Sequence, residues 1–435
     1  MKKSKNIFLK SAFILLIGGM FTKLLGFIVK VYYTRLIGTQ ALGLLSIVMP
    51  VYSLLLTIAN FNINTAISKR ISNKNSSKKV LISSIYIMFI LNVILIILGL
   101  LFSRFISYNL LKNKDTYYPI VACLITLPFI SIGYIVKGYF YGKQNVLPHM
   151  ISNVLEQLFR FIIIFSFLPK VIKYGNVIVV TILILFNVLS ESFSVLILYL
   201  FLHKKFNIKT NDIKPDLFEI NSLLSISIPS ISGRLLCNVI YFMEPIILTN
   251  IMLYKGFSNS YIVSEYGIYH TYAISLLLFP SFFINAISSS LLPEISRLYN
   301  EKNIILIKRR IYQAITISFM VGLLCSIFIF FNRYWLLKIL YDTSLGANYL
   351  KILCPFFILF YLEAPLSSVL IALDKIKIST FISVSCSIIK IIIMTLCLIF
   401  NMGIYSLIVS EIINLIYVIL FNIYIIKKSS IFNKI

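Results

Sequence analysis

Twelve apolar runs follow one another along this chain, at roughly 9–33, 41–67, 80–107, 118–141, 150–168, 176–202, 222–253, 266–292, 308–332, 349–372, 378–400 and 404–427. A helix needs about 20 apolar residues to cross the hydrocarbon core of a bilayer. The connections are too short to hold a soluble domain. Composition agrees, with 59% of the 435 residues hydrophobic and 12% charged, against about 45–50% and 25% in soluble domains. Half the usual charge cannot cover a water-facing globule, and the same figures exclude disorder, collagen, coiled coil and a secreted disulfide scaffold. The sequence predicts an all-α polytopic membrane protein with twelve transmembrane helices.

The longest polar connection, about 203–221, divides the runs into two sets of six. This predicts an N-terminal six-helix bundle over 1–202, a cytoplasmic linker over 203–221 and a C-terminal six-helix bundle over 222–435. The N-terminus (Met1, Lys2, Lys3 and Lys5, then Phe8 to Phe21) imitates a signal peptide. It has no small-residue cleavage site and its apolar run continues past Lys23 towards Tyr33, so it reads as an uncleaved first span.

Twelve spans put both termini on one side. Of the 40 Lys and Arg, 25 fall in segments on the terminal side, 10 in the opposite loops and 5 within spans. Cytoplasmic loops hold the excess of basic residues, so both termini are expected in the cytoplasm. This distribution also accounts for the net charge of +26. No basic domain stands outside the spans, and a nucleic-acid partner is set aside. The six cysteines, Cys123, Cys237, Cys325, Cys354, Cys386 and Cys397, sit singly in apolar stretches and read as small apolar packers rather than metal or disulfide sites.

The two halves repeat. Lys23-Leu24-Leu25 matches Arg234-Leu235-Leu236, and Ala66-Ile67-Ser68-Lys69 matches Glu294-Ile295-Ser296-Arg297. Tyr118 and Cys123 match Tyr349 and Cys354; Arg160 before Phe161-Ile162-Ile163 matches Lys390 before Ile391-Ile392-Ile393; Ser190-Glu191 matches Ser410-Glu411. With six spans per half the copies share one orientation, about an axis along the membrane normal. The expected fold is two pseudo-symmetric six-helix bundles around a central cleft.

A charge at mid-bilayer costs on the order of 3 kcal/mol on insertion scales, so each one present needs a reason. The basic residues within spans are Lys23, Lys30, Arg160, Arg234 and Lys390, and the acidic ones nearest a span interior are Glu156, Glu191, Glu244, Glu363 and Glu411. Lys23 and Lys30, two helical turns apart, share one face of span 1, and Arg234, Asn238 and Tyr241 form the equivalent stripe on span 7. If spans 1 and 7 line the cleft as symmetric mates, three cations meet there and make an anion site. The alternatives are snorkelling of Lys30 to the interface and pairing of Lys23 with a glutamate. Glu156 and Arg160 are an i, i+4 pair expected to neutralise each other, a structural role, with coupling-ion chemistry as the alternative. Lys390 has Cys386 four residues before it instead of a glutamate, and joins Glu191 and Glu411 as a structural charge. Glu244 and Glu363 break the repeat and are candidates for a coupling or gating role with a proton or sodium ion.

The three histidines, His149, His203 and His270, have no metal or triad spacing and read as solvated or capping residues. No phosphate-binding glycine loop, paired catalytic carboxylates or nucleophile–base spacing occurs, so the chain reads as a non-enzyme without cofactor or metal. Pro50, Pro128, Pro229, Pro245, Pro280, Pro355 and Pro365 fall within spans, where they kink helices and free carbonyls.

The stretches Thr22-Lys23-Leu24-Leu25-Gly26-Phe27, Thr34-Arg35-Leu36-Ile37-Gly38, and Val48-Met49-Pro50-Val51-Tyr52-Ser53 carry a resemblance, together with Gly43 and Ala66-Ile67-Ser68-Lys69. Glu156-Gln157-x-x-Arg160, Phe279-Pro280-Ser281 and Leu292-Pro293-Glu294-Ile295-Ser296 add to it. The chain resembles the stage V sporulation protein B group of polysaccharide and lipid-linked oligosaccharide flippases. That group belongs to the exporter superfamily that includes the multidrug-and-toxin extruders and the peptidoglycan-precursor flippases. The resemblance covers nearly the whole chain and implies the twelve-span, two-bundle fold. In the peptidoglycan-precursor flippases, arginines in the first, second and eighth segments surround the cleft. Lys23 falls at the first-span cation, whereas span 2 here offers Leu54-Leu55-Leu56 and span 8 Ser275-Leu276-Leu277.

The resemblance implies a bacterial cell-membrane flippase that moves an undecaprenyl-diphosphate-linked sugar or peptidoglycan precursor from inner to outer leaflet, for cell-envelope or spore-cortex synthesis. Its partners are then a lipid-linked anionic substrate and the bilayer; nothing in the sequence demands an oligomer. The rival is a multidrug exporter of organic cations driven by sodium or proton antiport, whose cleft would be lined by carboxylates and aromatics. A membrane-embedded polymerase or ligase would present acidic residues on a sizeable outer loop, and a scaffold would need no intramembrane charge at matched repeat positions.

Overall fold

The structure, a computed structural model, describes residues 2–73, 77–202 and 215–429. The expected linker lies outside the described residues as far as 214, as does His203. Fifteen α-helices and no strand occur among the described residues: α1 Lys2–Leu36, α2 Thr39–Asn60, α3 Ile63–Asn73, α4 Ser77–Phe105, α5 Tyr117–Gly142, α6 Leu147–Val171, α7 Asn176–Leu202, α8 Leu217–Tyr254, α9 Asn259–Gly267, α10 Ser275–Leu278, α11 Ser281–Asn300, α12 Ile304–Tyr341, α13 Ala347–Ala372, α14 Ile376–Ile399 and α15 Tyr405–Lys427. Among the described residues ten helical segments are long and apolar enough to cross a membrane, and a bent pair, Asn259–Leu278 with Ser281–Asn300, makes an eleventh. The 35-residue α1 precedes them, about 50 Å long at the α-helical rise.

The chain folds into two compact units, Met1–Phe242 and Met243–Ile435, and the division falls inside the 38-residue α8. In the first unit α5 is the hub, packed by α2, α3, α4 and α7, while α6 joins α7 to α1. In the second, α13 is the hub, packed by α11, α12, α14 and α15, while α14 packs on α15. Spans 4 and 10 thus hold the same place in their bundles, where the sequence repeat sets them.

Spans 2 and 8, mates in the repeat, are both broken, though not at equivalent positions. Span 2 is interrupted between α2 and α3 at Phe61 and Asn62, whose φ values of 48° and 50° are left-handed. A bulky phenylalanine is uncommon there. Span 8 bends by 51° between α10 and α11, at Phe279-Pro280. Proline lacks the N–H that would continue the helix. The fully buried Tyr361 of α13 donates its hydroxyl to the Leu277 carbonyl at 2.7 Å, supplying a partner just before the bend.

Close helix approach sets the first bundle. A Cβ on Gly138 of α5 would stand 2.9 Å from the Asn64 backbone of α3, and one on Gly142 would stand 2.8 Å from Ile71. Only glycine lets the two backbones come this near. Around that seam Ile63, Ala66, Ile67, Val80 and Leu198 are fully buried, joined by Leu223 near the start of α8. Arg70 of α3 clamps that start, its Nε and Nη2 meeting the Glu219 carboxylate at 2.6 and 3.0 Å while its guanidinium lies 5.0 Å from the Phe218 ring. In the second unit Lys255, just after α8, donates to the Leu398 carbonyl, to that of Ile399 at 2.8 Å and to Asn401, closing the end of α14. A cation on the last carbonyls of a helix meets the negative end of its dipole.

The outward apolar residues suit lipid contact. On α4, Phe89 is 67% exposed and Leu101 71% exposed, which is costly in water and neutral against acyl chains.

Candidate functional site

Each unit buries a cluster of charges. In the first, Arg160 of α6 donates from Nη2 to Glu156 Oε1 at 2.9 Å and from Nε to the Ser190 hydroxyl of α7 at 3.1 Å. Lys137 of α5 lies 3.9 Å from Glu156 and 4.0 Å from Glu191. Two carboxylates and two cations balance, with Lys137 only 12% exposed. Lys137 was not counted among the basic residues within spans; this is corrected, because α5 runs on to Gly142 and carries it inside the bundle.

In the second unit Lys390 of α14 bridges Glu244 of α8 at 2.9 Å and Glu411 of α15 at 2.8 Å. Glu244 is 1% exposed and also accepts from the Tyr266 hydroxyl at 3.0 Å, with His270 Nε2 3.1 Å away. His270 reaches it from a π-helical turn, Ile268–Ile274, a distortion often found at functional positions. A solvated or capping role for His270 is thereby corrected. Glu244, grouped in the sequence with Glu363, belongs by position with Lys390 and Glu411. The repeat returns as geometry: in each half the span-5-type cation turns to the Ser-Glu pair of the span-6-type helix, through Ser190 in one and Glu411 in the other.

The remaining basic residues behave differently. Lys23 and Arg234 are exposed and Lys30 half-buried, and none of the three forms an ion pair among the described residues. Gly26, between the two lysines, lies where an added Cβ would be 3.6 Å from the Gln157 amide of α6. One turn beyond Arg234, Asn238 donates to the Thr57 hydroxyl of α2 at 2.7 Å, fixing that stretch of α8 in the first unit. Tyr241, half-buried, also has a partner. Glu363 of α13 lines a cavity of about 260 Å³ with Ser281, Asn285, Tyr361 and Ser367. It makes no ion pair among the described residues.

The sequence profile of the polysaccharide biosynthesis protein family matches residues 8–299, two thirds of the chain. The chain belongs to the polysaccharide biosynthesis protein family.

The MatE profile matches residues 245–396 of this family member. It is similar to stage V sporulation protein B of Bacillus subtilis (strain 168), 31% identical over 382 residues, 85% of this chain and 74% of that one. The lipid II flippase MurJ of the same strain is 26% identical over 182 residues, 39% of this chain and 34% of that one. Among solved structures, an inward-facing multidrug resistance MATE family transporter of the MOP superfamily shares the fold, with a TM-score of 0.77 at 16% identity over 94% of this chain and 96% of that one. The chain is a multi-pass membrane protein of the polysaccharide biosynthesis protein family, with the all-helical two-bundle architecture that the sequence predicts.

Lys137, His270 and Tyr266 are the site-forming residues that sequence reasoning missed. Lys137 stood near enough to a span end to pass for a loop charge. The signal available for His270 was its rarity beside an apolar run, which is too weak to name a partner.

Proposed function

We propose that the chain is an alternating-access flippase that carries an undecaprenyl-diphosphate-linked sugar or peptidoglycan precursor from the inner to the outer leaflet of a bacterial cell membrane. The product would serve cell-envelope or spore-cortex synthesis, with both termini in the cytoplasm. One observation carries the reading. Lys137, Arg160 and Lys390 are each bound to a carboxylate, whereas Lys23, Lys30 and Arg234, all in the first unit, have no acidic partner among the described residues. Charges held in a membrane without a partner are costly, and an anionic headgroup supplies one.

A diphosphate matches this need. Lys23 and Lys30 on one face of α1 act as point charges, and Arg234 offers a planar fork suited to phosphate oxygens. Asn238 and Tyr241 would extend that stripe along α8 with neutral polar groups. The polyprenyl tail would stay in lipid. An inside-negative membrane potential favours outward passage of an anion by about 2.3 kcal/mol per charge per 100 mV. No bond need be made or broken.

Native mass spectrometry of the purified protein tests this, using a polyprenyl-diphosphate sugar and the Lys23→Ala/Arg234→Ala variant. Binding by the wild type and its loss in the variant is the expected result. Equal binding by both overturns the cationic site, and retention of an organic cation in place of the diphosphate overturns the substrate class. A second reading, an organic-cation exporter driven by sodium or proton antiport, rests on Glu363, whose carboxylate lines a cavity and has no ion pair among the described residues. It requires Glu363→Gln to abolish export of an organic cation while Lys23→Ala/Arg234→Ala leaves it intact.

A further inference from the structure

The second unit contains a cavity of about 440 Å³ that the charge clusters do not use. It lies where α9 begins, where α12 turns into α13 and where α15 begins, all at one end of that bundle. Tyr261, Glu265, Tyr334, Asn348, Tyr349 and Tyr405 line it. Its size is in the range of small-molecule sites, about 300–1,000 Å³.

The arrangement is partly rigid. Tyr349 is only 7% exposed and donates its hydroxyl to the Glu265 carboxylate. Its ring meets that of Tyr405 edge-on, with centroids 5.7 Å apart and planes at 83°, and Tyr269 supports it from behind at 6.3 Å. Tyr261 is braced by a stacked Phe257 at 5.6 Å. Tyr261, Tyr334 and Tyr405 nevertheless remain about half exposed. The result is a fixed carboxylate surrounded by accessible phenol rings.

The lining selects among ligands. No Lys, Arg or His contributes to it, so phosphate finds no charge partner here. A compact ammonium would use the carboxylate and the ring faces, but not the donors of Asn348, of the Ser344 hydroxyl or of the phenols. A pyranose uses all of them: its hydroxyls donate to Glu265 and accept from these groups, and its C–H face lies against a tyrosine ring. We propose that this cavity is a carbohydrate subsite that takes a neutral sugar ring. In the flippase reading, on which its biological occupant rests, that ring belongs to the transported headgroup.

Saturation-transfer NMR on the full chain in detergent tests the subsite. The probes are a soluble neutral N-acetylhexosamine disaccharide and, separately, choline; the variants are Glu265→Gln and Tyr405→Ala. Tyr405 is exposed, so its truncation opens no core cavity, and thermal unfolding checks that both variants fold. The expected result is saturation of the sugar protons by the wild type, a fall of at least about fivefold in each folded variant, and no displacement by choline. Absence of sugar signal in the wild type, equal signal in the variants, or displacement by choline overturns the subsite. Binding of the polyprenyl-diphosphate sugar by the wild type is measured in parallel. A lost subsite with lipid binding intact leaves the flippase reading standing, whereas failure of the wild type to bind that lipid removes the flippase reading and leaves the sugar result to decide the cavity alone.

Discussion

Lys390 shows how much one side chain can hold in this protein. Its ammonium lies within 2.9 Å of two carboxylates on two other helices. Removing one partner of a buried ion pair costs about 3–5 kcal/mol, because the remaining charge stays buried and unpaired. Lys390→Met therefore lowers the thermal midpoint in detergent by roughly 10 °C, and adding Glu244→Gln to it restores part of the loss. An unchanged midpoint in the single variant would show that the triad contributes nothing to stability. Tyr361→Phe makes a smaller prediction. It strips the hydroxyl partner from the Leu277 carbonyl and costs about 1–3 kcal/mol, read in the same thermal assay. Such contacts were invisible in the sequence for a definite reason. The i, i+4 spacing gave the Glu156–Arg160 pair and the repeat set Glu191 opposite Glu411, but which carboxylates Lys390 meets depends on helix rotation and on the π-helical turn that brings in His270. Lys137 was hidden because a charge five residues before a helix end and a loop charge look alike.

At the scale of helices, sequence legibility follows the same division. Length and apolar content located the spans, since a bilayer demands both at once. The breaks were uneven: Pro280 announces the bend in span 8, whereas nothing about Phe61-Asn62 announces the left-handed turn in span 2. The α3–α5 seam is the element most exposed to a single change. Gly138→Val places a branched side chain against the Asn64 backbone, where even a Cβ stands 2.9 Å away. Overpacking of this kind costs about 1–3 kcal/mol, and the expected outcome is a lower yield of folded protein by size-exclusion chromatography; a normal yield and midpoint would show that α3 can move aside. The clamp at the start of α8 gives an exchange test. Arg70→Glu should destabilise the protein, and Arg70→Glu/Glu219→Arg should recover much of that loss, because the carboxylate and guanidinium then change places. Equal damage in the single and double variants would assign the effect to packing against Phe218 instead.

For the molecule as a whole, the proposed transport carries a charge prediction. If the headgroup crosses as a net anion, collapsing an inside-negative potential with valinomycin and potassium slows its appearance in the outer leaflet of proteoliposomes. The equilibrium effect is about 2.3 kcal/mol per charge per 100 mV, so a rate and final extent that ignore the potential would show that the moving species is neutral overall. The two-bundle plan itself was legible because duplication left the same residues at corresponding places in both halves. The proposed anion site was less so, since it is defined by which cations lack partners, and that requires the folded arrangement of all the others.

The second charge cluster also bears on how the protein is made. Chain synthesis delivers Glu244 first, followed 26 residues later by His270, and Lys390 only after several further spans. During that interval the carboxylate sits in a half-built bundle with a histidine and a tyrosine as its available company, and α14 must then enter the membrane carrying a lysine whose acidic partners lie on α8, already inserted, and on α15, not yet made. Membrane insertion of this half is therefore a matter of timing as well as hydrophobicity: the lysine of α14 meets one of its carboxylates already in the membrane, and a variant that lacks Glu244 should insert α14 less efficiently.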